Sequence, residues 1–351
     1  MDFLQGVHAE AWRLARLAPC GRDDFQANKP RGLRTAQTDK HPENIMSIQE
    51  SLTLVAIMLA PAFFSLLGMA ALGSPAVAVS SEFLSKAKGR VFHDKYGQQA
   101  AAMGLILLLI FLVIQAGALG LVLVRFPLMA SRVFEPGSPF MVSFAAMGAF
   151  VVLGLVYFLT WRKMREAKGA HMLLGAGAAL SAIVGVAVTV PAKLLLGLPA
   201  EAMQAPLAPL SMLWPMAVMY VVLCVAAAAG LSCVYLVLRR KRDDFGRDYY
   251  RFSLNLASRW ALGAMVVFLA CQGWLFAVLP DTFRIMTLGT PLGLVWAAGC
   301  GLGLACAALW LVTARSDTPL RFKGLTFLAA CLLWLMHAMN ATLFMNFMSM
   351  L

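Results

Sequence analysis

The sequence predicts an all-α integral membrane protein of about eight transmembrane helices, arranged as two four-helix bundles in a 4+4 parallel internal repeat, and three observations carry that expectation. Apolar residues make up 61% of the 351 positions and charged residues only 13%, with a mean hydropathy of +0.77, which is outside the range of soluble domains. Apolar runs recur along the chain, each of roughly 18 residues or more and so long enough to cross about 30 Å of hydrocarbon at about 1.5 Å per helical residue. Lysine and arginine gather in alternate connections between those runs.

The runs lie near 51–73, 101–124, 140–161, 172–195, 210–238, 256–279, 290–314 and 324–348. Helix is the state expected for each, because a lipid-facing segment must satisfy its own backbone hydrogen bonds and none alternates apolar and polar residues as a barrel strand does. The first run is followed by Lys86, Lys88, Arg90 and Lys95, and the third by Arg162, Lys163, Arg165 and Lys168. The fifth is followed by Arg239, Arg240, Lys241, Arg242, Arg247 and Arg251, and the seventh by Arg315, Arg321 and Lys323. The other connections hold Arg125 and Arg132, no basic residue, and Arg284 in turn. Odd-numbered connections are therefore expected in the cytoplasm, with both ends of the bundle facing outward and a bacterial inner membrane as the location. Trp161, Trp214, Trp260, Trp296 and Trp310 fall near the expected interfaces, where amphipathic rings settle.

Residues 1–45 conflict with that orientation, because Arg13, Arg16, Arg22, Lys29, Arg31, Arg34 and Lys40 would have to cross the membrane. The stretch has no apolar h-region, so it does not read as a secretory signal. It is expected to be a disordered or non-native extension, with the working protein beginning at Met46. The run from Met46 ends near Ala76-Val77-Ala78 in the manner of a cleavage site, but it lacks a basic leader and reads as a retained span.

Self-comparison at a shift of 152–157 residues aligns Phe92-His93-Asp94-Lys95-Tyr96 with Phe245-Gly246-Arg247-Asp248-Tyr249, Gln115 with Gln272, Pro139 with Pro291, and Lys168-Gly169 with Lys323-Gly324. These landmarks fall in one order, which predicts a four-span repeat over 46–200 and a second over 201–351, sharing one orientation. Two four-helix bundles side by side resemble several respiratory membrane subunits, including those of cytochrome bd-type quinol oxidases, although no ligand motif of that family is evident here. Gly175-Ala176-Gly177, Ala226 to Gly230, and Gly299, Gly301 and Gly303 supply small faces for close helix approach. Cys224, Cys233, Cys271, Cys300, Cys306 and Cys331 lie within spans without a CxxC pair or metal spacing, and read as apolar packing residues.

The net charge of +12 does not point to nucleic acid, because the basic residues sit in short connections and not on a separate domain. Anionic lipid headgroups are the expected partner, contacted by Lys86, Lys88, Arg90, Arg239, Arg240, Lys241 and Arg242. Partner subunits docking on the same segments are the alternative.

Ionisable groups in hydrocarbon are costly, so they are the first place to look for function. No Asp or Glu falls well inside an expected span, which weighs against coupled transport. Gln115, Gln272, His337 and Asn340 remain, with Lys193 near the outer end of the fourth span. Counted from the cytoplasmic ends, Gln115, Gln272 and His337 all stand roughly 20–25 Å deep. His337 and Asn340 share a helix face. Such a layer either bonds helices together, at about 1 kcal/mol per contact, or holds a quinone headgroup through its carbonyl oxygens. A haem is disfavoured: His93 and His171 lie about 20 Å from the level of His337 along the bundle, and no CxxCH is present.

The leading expectation is a quinone-interacting or structural membrane subunit of a respiratory complex, with the presence of any cofactor left open. The alternatives are a transporter built on the two-fold repeat, and a lipid-modifying enzyme using Asp244 and Asp248 at the cytoplasmic face.

Overall fold

A computed structural model describes residues 48–164, 166–196, 211–243 and 245–350. The expected extension 1–45 lies outside the described residues, as does Asp244. Ten helices follow in order: α1 (Ile48–Lys88), α2 (Val91–Arg125), α3 (Pro127–Val133), α4 (Pro139–Thr160), α5 (Lys168–Leu195), α6 (Leu213–Asp243), α7 (Arg247–Val278), α8 (Asp281–Leu288), α9 (Leu292–Arg315) and α10 (Lys323–Met350). A 3₁₀ turn at Pro319–Phe322 leads into α10, and no strand occurs among the described residues. Eight of the helices, all but α3 and α8, are long and apolar enough to cross a membrane. The chain is an all-α integral membrane protein.

Local chemistry sets the turns between them. Ser138 caps α4 by accepting from the Phe140 amide at 3.4 Å, and Pro139 follows at the first helical position, where no N–H is needed. Gly89 and Gly246 adopt φ of +63° and +83° in the tight turns α1–α2 and α6–α7, a region that side chains with a Cβ rarely enter. Lys86, Lys88, Arg240, Lys241, Arg242 and Arg315 occupy last turns, where cations meet the free carbonyls and negative end of the helix dipole.

The first helix departs most from expectation. It continues fifteen residues past its apolar run, through Pro75 to Lys88, and is 41 residues long. Ser74, Ala78, Ser81, Glu82 and Ser85 are all buried on this continuation, so packing against neighbouring helices sustains the helix where hydropathy falls. The expectation of a carboxylate-free interior is thereby overturned, because Glu82 is only 3% exposed.

The eight spans form two sets of four. In the first, α1 packs on α2 and α5, and α4 packs on α5 and α2; in the second, α6 packs on α7 and α10, and α9 packs on α10 and α7. The sets meet where α1 crosses α6, flanked by α5 against α6 on one side and α10 against α1 on the other. Small residues line that crossing: Ala70, Ala71, Gly73 and Ala78 from α1, and Ala226 to Ala229 from α6, all buried. Trp334 Nε1 donates to the Leu59 carbonyl at 2.8 Å, two residues before Pro61 of α1, and adds a polar tie between the sets.

The tryptophans expected at interfaces differ in burial. Trp161, Trp296 and Trp310 are buried against neighbouring helices, while Trp214 is exposed. Among the cysteines, Cys224, Cys233, Cys271 and Cys306 are buried and Cys331 is exposed.

Candidate functional site

Two clusters of polar side chains are buried among the spans, one in each set of four helices. The first lies toward the basic connections. Glu82 from α1 meets His171 from α5, whose Nδ1 stands 3.0 and 2.9 Å from the two carboxylate oxygens. The other imidazole nitrogen, Nε2, bonds the backbone carbonyl of Tyr157 at 3.1 Å, in the last turn of α4. The Tyr157 hydroxyl donates to Glu82 Oε2 at 3.4 Å. Its ring stacks on the imidazole with centroids 4.5 Å apart, and Trp161 closes the other side edge-on at 4.9 Å. Gly175 makes the stacking fit, because a Cβ there would stand 2.7 Å from the Tyr157 ring. His171 is 2% exposed, so the pair is buried among the helices.

One helical turn nearer the basic end, Lys168 bridges to Asp94 at 3.2 Å, and both are partly exposed. An apolar cleft of about 540 Å³ opens beside this region, between Val79, Phe83 and Leu84 of α1, Met172 and Leu173 of α5, and Trp260 of α7. His93 is buried against the Phe252 ring, with centroids 4.9 Å apart.

The second cluster contains three of the four side chains expected to form a polar layer. Gln272 of α7 donates through Nε2 to Asn340 Oδ1 of α10 at 3.3 Å and to Met219 Sδ of α6 at 3.1 Å. Its Oε1 accepts from Trp296 Nε1 of α9 at 2.8 Å. His337, one turn from Asn340, bonds Ser65 Oγ of α1 through Nε2 at 3.1 Å. Tyr220 sits over His337 edge-on, and its hydroxyl interacts with the Asn340 side chain. The donors run in one direction, from the Trp296 indole through the Gln272 amide to the Asn340 amide. At the end of that chain Asn340 Nδ2 is buried with only the Tyr220 hydroxyl beside it and no close hydrogen bond, and His337 Nδ1 is buried with no hydrogen-bond partner among the described residues.

Gln115 does not join this layer. It lies on an outer stretch of α2 that stands clear of the neighbouring helices, with no residue beyond Leu108 buried; the repeat alignment matched its depth and said nothing of packing. Sequence reasoning also missed Trp296, Met219, Tyr220 and Ser65 as members, since indole, thioether and lone hydroxyl groups carry no spacing signal of their own. Glu82, His171 and Tyr157 were missed as a cluster because the continuation of α1 reads as loop by hydropathy. The legible clue was the run of small residues from Gly73 to Ser81, which is a close-packing face.

Of the basic residues expected on lipid headgroups, Lys86, Lys88, Arg90, Arg240, Lys241 and Arg242 are exposed. Arg239 is placed differently: it forms a two-pronged bridge to Asp243 at 2.7 and 2.8 Å, and Asp243 also accepts from Gln99 at 3.0 Å. Among the described residues, no three His, Cys, Asp or Glu side chains are grouped to hold a metal ion.

No protein-family model matches the chain, and no curated protein matches it in sequence. Among solved structures, it is similar to the bd oxidase from Geobacillus thermodenitrificans, at 12% identity and a TM-score of 0.60, over 85% of this chain and 86% of that one. The likeness is one of fold. It joins a membrane-spanning helical chain to the architecture of a membrane oxidase.

Proposed function

We propose that the chain is a membrane subunit of a respiratory redox complex, and that its polar layer holds a quinone headgroup. The observation that carries this reading is His337 Nδ1, buried with no hydrogen-bond partner among the described residues, beside the Asn340 amide, whose Nδ2 has only the Tyr220 hydroxyl next to it. An unsatisfied buried polar atom is costly, and a carbonyl oxygen is the complement of an amide donor. His337 Nδ1 is likewise a donor in the tautomer whose Nε2 accepts from Ser65. Phe344 and Tyr220 offer aromatic surface beside these atoms for a ring. A quinone held there supplies two-electron, two-proton redox chemistry. The fold likeness to a bd oxidase supports the same class of assembly.

The test is retention of quinone by the protein purified in mild detergent, read by solvent extraction and by labelling with a photoreactive quinone analogue. Wild type is expected to carry label on α10, and Asn340→Leu to lose at least about tenfold of it, a loss of about 1.4 kcal/mol, at a temperature where both remain folded. Absence of both quinone and label in the wild type overturns the reading. A visible spectrum of the same sample checks for haem, which would appear as a Soret band.

The layer is proposed to stand in a bacterial inner membrane with the basic connections in the cytoplasm, where exposed Lys86, Lys88, Arg90, Arg240, Lys241 and Arg242 meet anionic headgroups. The same packing of helices within each set supports an internal duplication.

A second reading, proton-coupled transport, is favoured by the buried carboxylate of Glu82. It requires water to reach the midplane, so labelling by a water-soluble thiol reagent of cysteines placed at Ser65 or Ser143 would favour it over the quinone site.

A further inference from the structure

We propose that Glu82 and His171, clamped by Tyr157, share one buried proton inside the first set of helices, and that this proton exchanges with water at the basic end of the bundle. This goes beyond the quinone layer and rests on none of its residues.

Hydrogen-bond roles establish that the pair holds a proton. The Tyr157 main-chain oxygen is only an acceptor, so the His171 Nε2 that bonds it carries a hydrogen. Nδ1 then faces both oxygens of Glu82 at 2.9 and 3.0 Å, a contact that needs one hydrogen between the two groups. Carboxylate with imidazolium and carboxylic acid with neutral imidazole are the two forms that meet this requirement. They are interconverted by moving the proton from a Glu82 oxygen to His171 Nδ1, with no change in total charge. The surroundings accommodate both forms. The end of α4 presents a helix carbonyl to the imidazole, and the Tyr157 and Trp161 rings cover it as aromatic groups cover a cation.

Access lies on one side. His171 is three residues from the partly exposed Lys168, which is bridged to Asp94 of α2. Glu82 is four residues, or about 6 Å along α1, from the exposed Lys86. The titratable and charged groups that reach the pair are Tyr157 from α4, Lys168 from α5, Lys86 from α1, and Asp94, which acts on Tyr157 from α2. Away from the basic end, the next buried hydroxyls of α1, Ser81 and Ser74, are each turned back onto their own helix, bonding Val77 and Ala70 carbonyls. The shared proton therefore exchanges through the Asp94–Lys168 side and not through the bundle.

Infrared difference spectroscopy of the full chain in lipid nanodiscs tests this. Transfer from H₂O to D₂O at neutral pH is expected to shift a Glu82 carboxyl or carboxylate band within minutes. The band should be absent in Glu82→Gln, and Asp94→Asn should slow its exchange by about tenfold or more, on the order of 1.4 kcal/mol in the exchange barrier. If Glu82→Gln does not fold, Tyr157→Phe serves in its place, because removing the phenol from Oε2 displaces the same band without breaking the pair. A Glu82 band that stays unexchanged for hours while connection amides exchange overturns the proposal and leaves a sealed structural bond. Exchange that is fast but indifferent to Asp94→Asn overturns the assigned route.

Discussion

A methyl group on Gly73 would overlap the backbone carbonyl of Cys224, so closely do α1 and α6 cross where the two sets of helices meet. Backbone against backbone leaves no flexible side-chain end to yield. Gly73→Ala is therefore expected to destabilise the protein by about 2–3 kcal/mol, measured by thermal unfolding in detergent. Gly117→Ala and Gly120→Ala face open space, and each is expected to be neutral or to gain up to about 1 kcal/mol from helix propensity. A silent Gly73→Ala would mean that the helices do not cross there.

Gln115 and Gln272 should separate sharply on substitution. Gln272→Leu strands the Trp296 indole N–H and removes the donor to Asn340, with an expected cost of about 1–3 kcal/mol and a change in Trp296 fluorescence. Gln115→Leu removes an amide from the exposed outer face of α2 and is expected to leave the melting temperature unchanged or raise it. Equal effects from the two would contradict the placement of Gln115 outside the packed layer.

The Glu82–His171 pair is buried, so removing either partner leaves a polar group without compensation. Glu82→Leu and His171→Leu are each expected to cost about 3–5 kcal/mol, and the double variant distinctly less than their sum. Additive losses in this cycle would show that the two side chains do not interact.

Trypsin added to sealed vesicles offers a check on topology. Lys88, Arg90, Arg240 to Arg242 and Arg321 lie on connections or helix ends of one parity, so all are expected to be cut from a single side and protected from the other. Arg239 is expected to be cut more slowly than Arg240, because its guanidinium is held by Asp243. Cutting of successive odd connections from opposite sides would contradict an even number of crossings between them.

The eight spans were legible in the linear chain because water excludes long apolar runs and lipid demands helix, and both requirements act on composition alone. The small-residue stretch of α6, Ala226 to Gly230, was equally readable as a contact face, since small side chains permit close approach wherever the partner lies. Gln272, His337 and Asn340 could be placed at one depth from their distance along each helix. Depth is a one-dimensional quantity, but contact also needs the rotation of each helix about its axis, and only packing sets that. Gln272 meets Asn340 across packed helices, whereas Gln115 stands on the stretch of α2 beyond Leu108, where no residue is buried. Glu82 shows the same limit in another form. Hydropathy placed it in a connection, whereas burial against neighbouring spans carried α1 onward and brought the carboxylate to an imidazole 89 positions away.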